Sequence, residues 1–293
     1  MTALLRILGR TFKRFAEDDC WTSAIVISYF GLMCAVPLAA LFTFVTGKLL
    51  GRPELALRSL NIFTEEFFAE LNPAFFQKVE AMSRGVGRLG LPAIIGLVAV
   101  GGFLFSRLIA ALNRIFRAPR GRSFLYKRLK EYAVMLLAGV FLMLSLAITV
   151  LWSTLHQTLS QGMLFSRHLN PRFLPLTNNI FLQYFLPFAL TLAVFFCLFK
   201  LIPEVKVRFR AAFIGALAGA VLWEIFKRIF AFYVAHLSVL GILLSRLLEG
   251  TLASIIFFLM WISFSLIILF WAAELAAALN ERTRNPMESG AHA

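Results

Sequence analysis

Residues 251–279 read TLASIIFFLMWISFSLIILFWAAELAAAL, and Glu274 is the sole charge in the run. A helix that crosses the hydrocarbon core of a bilayer needs about 20 predominantly apolar residues. This stretch exceeds that length, and no period-2 alternation suggests a strand. Applied outward along the chain, the same test finds five more spans. They lie at about 21–46, 89–109, 132–155, 180–202 and 211–235, with 251–279 as the sixth. The fold class this predicts is all-α, a polytopic bundle of six transmembrane helices within a single domain over 1–293.

Composition agrees. The chain has 293 residues, of which 60% are hydrophobic and 15% charged, with a mean hydropathy of +0.82. Soluble proteins average roughly 45–50% apolar and 25% charged, so too little polar surface is available to wet a fold of this size. Phe supplies 32 residues against five Trp and five Tyr, which suits contact with lipid tails. Cys20, Cys34 and Cys197 form no C-x-x-C pair, and His156, His168, His236 and His292 are scattered. Neither a disulfide framework nor a metal site is expected, and no cofactor. Nor is there a Gly-rich phosphate loop or a nucleophile elbow, so the chain does not read as an enzyme.

The net charge of +14 raises the question of nucleic acid. The positions of the charges answer it. With the N-terminus inside, 17 of the 29 basic residues fall on inner segments, including Arg6, Arg10, Lys13, Arg14, Arg114, Arg117, Lys130, Lys200 and Lys206. Nine fall on outer segments, one of which is long. The positive-inside rule then places both termini in the cytoplasm, and no nucleic-acid partner is expected. Residues 1–20 interleave Leu, Ile and Phe with Arg and Lys and contain no apolar signal-peptide core. They suit an amphipathic helix on an anionic leaflet or a plain basic flank. Outside, 53–87 shows helical periodicity broken at Asn72-Pro73, giving two amphipathic helices. Residues 280–293 form a cytoplasmic tail.

The charges inside the spans carry the functional question, since a charge at mid-membrane costs at least ~2.5–3.5 kcal/mol. In Leu222-Trp223-Glu224-Ile225-Phe226-Lys227-Arg228, Glu224 lies 13 residues from Ala211, or roughly 20 Å into the span. Glu224 is spaced i,i+3 from Lys227 and i,i+4 from Arg228, so one helix face carries all three. Two readings follow. The patch lines a cavity for an anionic headgroup or a proton, or it is a structural ion pair. Arg107 is placed to reach the inner interface and admit anionic groups. Glu274 is placed to partner Lys200 or the basic loops. Pro37 can kink the first span, where Tyr29 adds a hydroxyl beside Ser23 and Ser28. Gly215-x-x-x-Gly219 allows close helix approach, and a homo-oligomer through that face is one expectation.

Several of these residues together resemble the YihY/virulence factor BrkB family of bacterial inner-membrane proteins. The resemblance rests on Leu222-Trp223-Glu224 with Lys227, Phe230 and Tyr233, followed by Ala273-Glu274-Leu275 and Leu279. Ser28-Tyr29-Phe30 before Pro37-Leu38 matches the family's opening, and Leu112-Asn113-Arg114 its leucine–asparagine motif. Pro203 and the basic stretch to Arg210 also fit. The family's tyrosines between the last two spans are missing here, where 237–250 contains none. The resemblance implies six spans and an inner-membrane location. It also implies a link to envelope integrity and to export of lipid or lipopolysaccharide precursors. A former ribonuclease label of the family is regarded as a misassignment, and the absence of a metal-ligand pattern agrees with dropping it. Membrane lipids, anionic ones above all, are the expected partners. The leading expectation is a lipid transporter or flippase, with Glu224, Lys227, Arg228, Trp223, Arg107 and Tyr29 along the path. The alternative is a structural scaffold in which the buried charges fix packing.

Overall fold

The computed structural model describes residues 2–34, 90–119, 128–137, 139–140, 180–233 and 251–284. Among them, the regular structure is helical throughout. The helices are α1 (Thr2–Glu17), α2 (Cys20–Cys34), α3 (Gly90–Ile115), α4 (128–137), α5 (Ile180–Leu201), α6 (Phe209–Phe232) and α7 (Thr251–Arg284).

Three stretches are long and apolar enough to cross a membrane: Ile95–Ile115, Phe209–Phe232 and Ile255–Glu281. They correspond to the second, fifth and sixth expected spans. The second runs further than expected. Its helix continues through Arg107 to Ile115 because Leu108, Ile109, Ala111, Leu112 and Ile115 are all buried. The first and fourth expected spans contribute the shorter apolar helices Cys20–Cys34 and Phe188–Leu201. Part of the third is α4. Pro37, the 53–87 helices and the 237–250 connection lie outside the described residues.

The core is built on α5, α6 and α7. In the first half of α6 the buried positions are small: Ala211, Ala212, Gly215, Ala216, Gly219 and Ala220. They meet an equally small stripe on α7, where Ala272, Ala273, Ala276 and Ala277 are buried. A Cβ added to Gly215 would lie 2.6 Å from Ala276 Cβ and 2.9 Å from the Ala272 carbonyl oxygen. One added to Gly219 would lie 2.5 Å from the Phe195 ring on α5 and 2.8 Å from Ala272 Cβ. Small side chains thus let the helix backbones approach, and van der Waals packing can hold them without a hydrophobic drive from lipid. The Gly215–Gly219 face is filled from within the chain. It is therefore closed to a second copy, so the expected oligomer contact is not available there.

The remaining helices dock on this core. α2 is tied to α7 by Ser28, whose hydroxyl donates to the Ile25 carbonyl at 2.7 Å and accepts from Ser263 at 2.9 Å. α1 packs across α7 through buried Thr11 and Phe15, and the Phe12 ring sits 5.9 Å from Trp271. Its amphipathic pattern therefore serves an intramolecular contact, with Arg10, Phe12 and Lys13 on the exposed side.

Candidate functional site

The sequence directs attention first to α6. There Lys227 Nζ lies 2.7 Å from Glu224 Oε1, with Lys227 19% and Glu224 25% exposed. The i,i+3 spacing thus closes into an ion pair that is open on one side. Arg228 is exposed one position further on. Trp223 turns toward α7 and joins an aromatic cluster, its ring 5.2 Å from Trp261 and 5.9 Å from Phe226. Trp261 also meets Phe226 at 5.1 Å and Phe230 at 5.0 Å. Offset and edge contacts of this kind are favourable for aromatic rings, and they fix the α6–α7 angle beside the charged pair. On the opposite side Ile225, Ile229 and Phe232 are exposed. The charge pair therefore lies between a rigid aromatic wall and an apolar outer surface.

The other residues expected along this path stand apart. Tyr29 is exposed on α2, its ring packed against Phe30. Arg107 is exposed on α3. No hydrogen bond or ion pair among the described residues joins either to the α6 patch.

A second polar constellation lies at the end of the bundle that carries α1, and most of it was not foreseen. Arg14 of α1 pairs with Glu281 of α7 at 2.6 Å. Burial opposes the charge on Arg14, but the Glu281 hydrogen bond and the nearby Glu274 and Asp18 carboxyls outweigh it and hold the guanidinium above its ordinary range. Asp18, in the α1–α2 turn, accepts from Arg117 at 2.8 Å, and its carbonyl accepts from Arg114 at 3.0 Å. The two non-glycine residues with positive φ among those described are in this region: Asp19 (50°) and Arg117 (53°). Left-handed residues cost roughly 1–2 kcal/mol and commonly close helix ends. At Arg117 the cost is offset by the Ala118 N–H bond to the Asn113 carbonyl, 2.8 Å, and by the Asp18 pair.

Glu274 is fully buried, and neither of its carboxyl oxygens has a hydrogen-bond partner among the described residues. Of the two expected partners, Lys200 or the basic loops, this sets aside Lys200. Lys200 Nζ instead donates to the Val207 carbonyl, which holds the α5–α6 connection. Glu274 faces the Asp18 carboxyl, with the Arg117 and Arg14 guanidiniums nearby.

Two asparagines complete the arrangement. Asn113 Oδ1 accepts from the Glu204 N–H at 2.9 Å, and Asn280 Oδ1 accepts from the Arg208 N–H at 2.9 Å. Arg208 is the N-cap of α6 and offers no capping side chain of its own. Asn113 thus satisfies the Glu204 N–H just after the helix breaker Pro203, and Asn280 satisfies the Arg208 N–H, which has no intrahelical acceptor at the start of α6. Asn113 was expected only as part of a motif. Asn280 was missed, although an amide just past an apolar run is the signal that could have found it.

Membrane-length helices packed through small residues, with ionic and amide ties at one end, define an integral membrane protein of the helical-bundle class. The family described as Virulence factor BrkB matches residues 11–293, and the chain belongs to it. It is 26% identical to a UPF0761 membrane protein of Pseudoalteromonas translucida over 92% of this chain and 84% of that one. A UPF0761 membrane protein of Mannheimia succiniciproducens is 24% identical over 96% of this chain and 92% of that one. A relative of the same description from Legionella pneumophila is 25% identical over 94% of this chain and 62% of its own length. No solved structure matches the chain.

Proposed function

We propose that the protein moves or handles lipids in the bacterial inner membrane and has no enzymatic activity. The observation that carries this reading is the Glu224–Lys227 pair on α6. It is a charged group within a membrane-length helix, held beside an aromatic wall and partly open to the surroundings. A headgroup needs that opening to reach the pair. With Arg228 adjacent, the patch carries one positive charge in excess, which favours an anionic headgroup.

The orientation belongs to the same proposal. Arg14, Arg114, Arg117, Lys130, Lys200 and Arg208 gather at the α1 end of the bundle through the contacts that join α1, α3, α4, the α5–α6 connection and α7. The positive-inside rule puts that end in the cytoplasm. A scaffold role is the second reading, favoured by the 2.7 Å closeness of the ion pair itself.

The test is mass spectrometry of lipids retained when the protein is extracted directly into polymer nanodiscs. Wild type is compared with Glu224→Gln and Lys227→Ala. Enrichment of an anionic lipid in wild type, lost in Lys227→Ala and kept in Glu224→Gln, whose patch is more positive, is the expected result. A lipid profile equal to bulk membrane in all three would leave the scaffold reading.

A further inference from the structure

A cleft of about 440 Å³ opens at the α1 end of the bundle, between α4 and the connection from α5 to α6. That volume falls within the roughly 300–1,000 Å³ range of small-molecule sites and is ample for more than a phosphate ion. Among the described residues its polar lining is Lys130, Glu204 and Lys206, and its apolar lining includes Val134, Leu137 and Leu201. The cleft is thus cationic by one charge on one side and aliphatic on the other.

Its walls are held in place. Lys130 Nζ donates to the Ile202 carbonyl at 2.5 Å. Asn113 fixes the Glu204 backbone, and Asn280 fixes the connection at Arg208 (2.9 Å) and at the Lys206 carbonyl (3.4 Å). Three side chains from three other helices are therefore committed to a short non-helical connection. A preformed site loses less ordering entropy when it binds. The exposed Leu137 and Leu201 continue the exposed apolar surface of α4 and α5 up to the cleft. Lys130 stands in the first turn of α4, and Lys206 lies in the α5–α6 connection five residues past the end of α5.

We infer that this cleft holds the headgroup of an anionic glycerophospholipid, with its phosphate at Lys130 and Lys206 and its acyl chains on Leu137 and Leu201. A soluble anion fits less well, because it brings no apolar surface to cover the two leucines. The inference needs only that the chain is embedded in a bilayer. It does not use the α6 path, so the two proposals fail separately.

The experiment is native mass spectrometry of the full chain titrated with phosphatidylglycerol or phosphatidylcholine. The variants are Lys206→Gln, Lys206→Glu, Lys206→Arg and Arg10→Gln. The Lys206 side chain is exposed, so these changes leave the fold intact, and Arg10 is an exposed cation on α1. Wild type should retain phosphatidylglycerol in preference to phosphatidylcholine. An interfacial basic residue is worth about 1 kcal/mol toward an anionic lipid, so Lys206→Gln should weaken retention about fivefold. Lys206→Glu should weaken it further, and Lys206→Arg and Arg10→Gln should leave it unchanged. Equal retention of the two lipids would overturn the inference. So would an unaffected Lys206→Glu, or an Arg10→Gln loss as large as that of Lys206→Gln. Displacement of the lipid by soluble glycerol phosphate would reassign the cleft to a free phosphate ester and overturn the lipid assignment.

Discussion

Adding one methyl group at Gly215 should separate two helices. The built Cβ lies 2.6 Å from Ala276 Cβ, about 0.8 Å inside the 3.4 Å at which ordinary contact begins. It also lies 2.9 Å from the Ala272 carbonyl oxygen, which is backbone and cannot rotate away. α6 and α7 must therefore move apart, loosening the contact of Ala212 and Ala216 with Ala273 and Ala276. Overpacking of this kind costs about 1–3 kcal/mol. The gain in helix propensity from Gly to Ala is at most about 1 kcal/mol. The net expectation for Gly215→Ala is a loss of about 1–2 kcal/mol. Gly96 on α3 is the control, because a Cβ there meets nothing within 4 Å. Thermal unfolding in detergent, followed by loss of the monodisperse size-exclusion peak, should rank Gly215→Ala below wild type and Gly96→Ala at or above it. Adding Ala276→Gly to Gly215→Ala removes the Cβ–Cβ clash and should restore part of the loss, leaving the carbonyl contact uncorrected. A Gly215→Ala protein as stable as Gly96→Ala would refute the close α6–α7 contact.

Further outcomes follow from the polar ties. Asp18→Ala should destabilise by about 1–2 kcal/mol, a value discounted because its partner Arg117 is 47% exposed; a double-mutant cycle with Arg117→Ala should give a coupling near 1 kcal/mol. Asn113→Ala should cost about 1 kcal/mol and Asn280→Ala about 1–2 kcal/mol, additively, since the first removes one hydrogen bond to the α5–α6 connection and the second removes two. Glu224→Ala should lower thermal stability, and Lys227→Ala in the same chain should restore part of it; an unchanged single variant would show that the pair does not hold α6. Reporter fusions at Ala293 should report a cytoplasmic C-terminus, and a periplasmic signal would reverse the proposed orientation.

How much the sequence disclosed differs from element to element for physical reasons. The long apolar runs of α3, α6 and α7 were legible because a bilayer imposes length and composition on each helix separately. The second span is expected to end near residue 109, ahead of Asn113 and Arg114, whereas its helix runs to Ile115. Burial of Leu112 and Ile115 on either side of Asn113 continues the helix. Gly215 and Gly219 signalled close approach, but a small-residue stripe does not name its partner. Its partner is a second stripe, Ala272 and Ala276, more than 50 positions away. The Glu224–Lys227 pair was legible because helix spacing alone sets it. The Asp18–Arg117 and Arg14–Glu281 pairs span 99 and 267 positions, and no local pattern relates such residues. Charge complementarity, the only rule available in one dimension, points Glu274 to Lys200 or the basic loops, and Arg117 of those loops does lie near it. In three dimensions it faces a second carboxyl.

The most direct test of the lipid-handling account is translocation itself. Purified wild-type protein, inserted into liposomes doped with a fluorescent anionic phospholipid, should make that lipid accessible to an external quencher faster than protein-free liposomes do. Glu224→Gln and Lys227→Ala, inserted to the same extent, should lose most of that rate. No acceleration by folded, inserted wild-type protein, or equal rates in all three, would contradict the claim that lipid passes along α6.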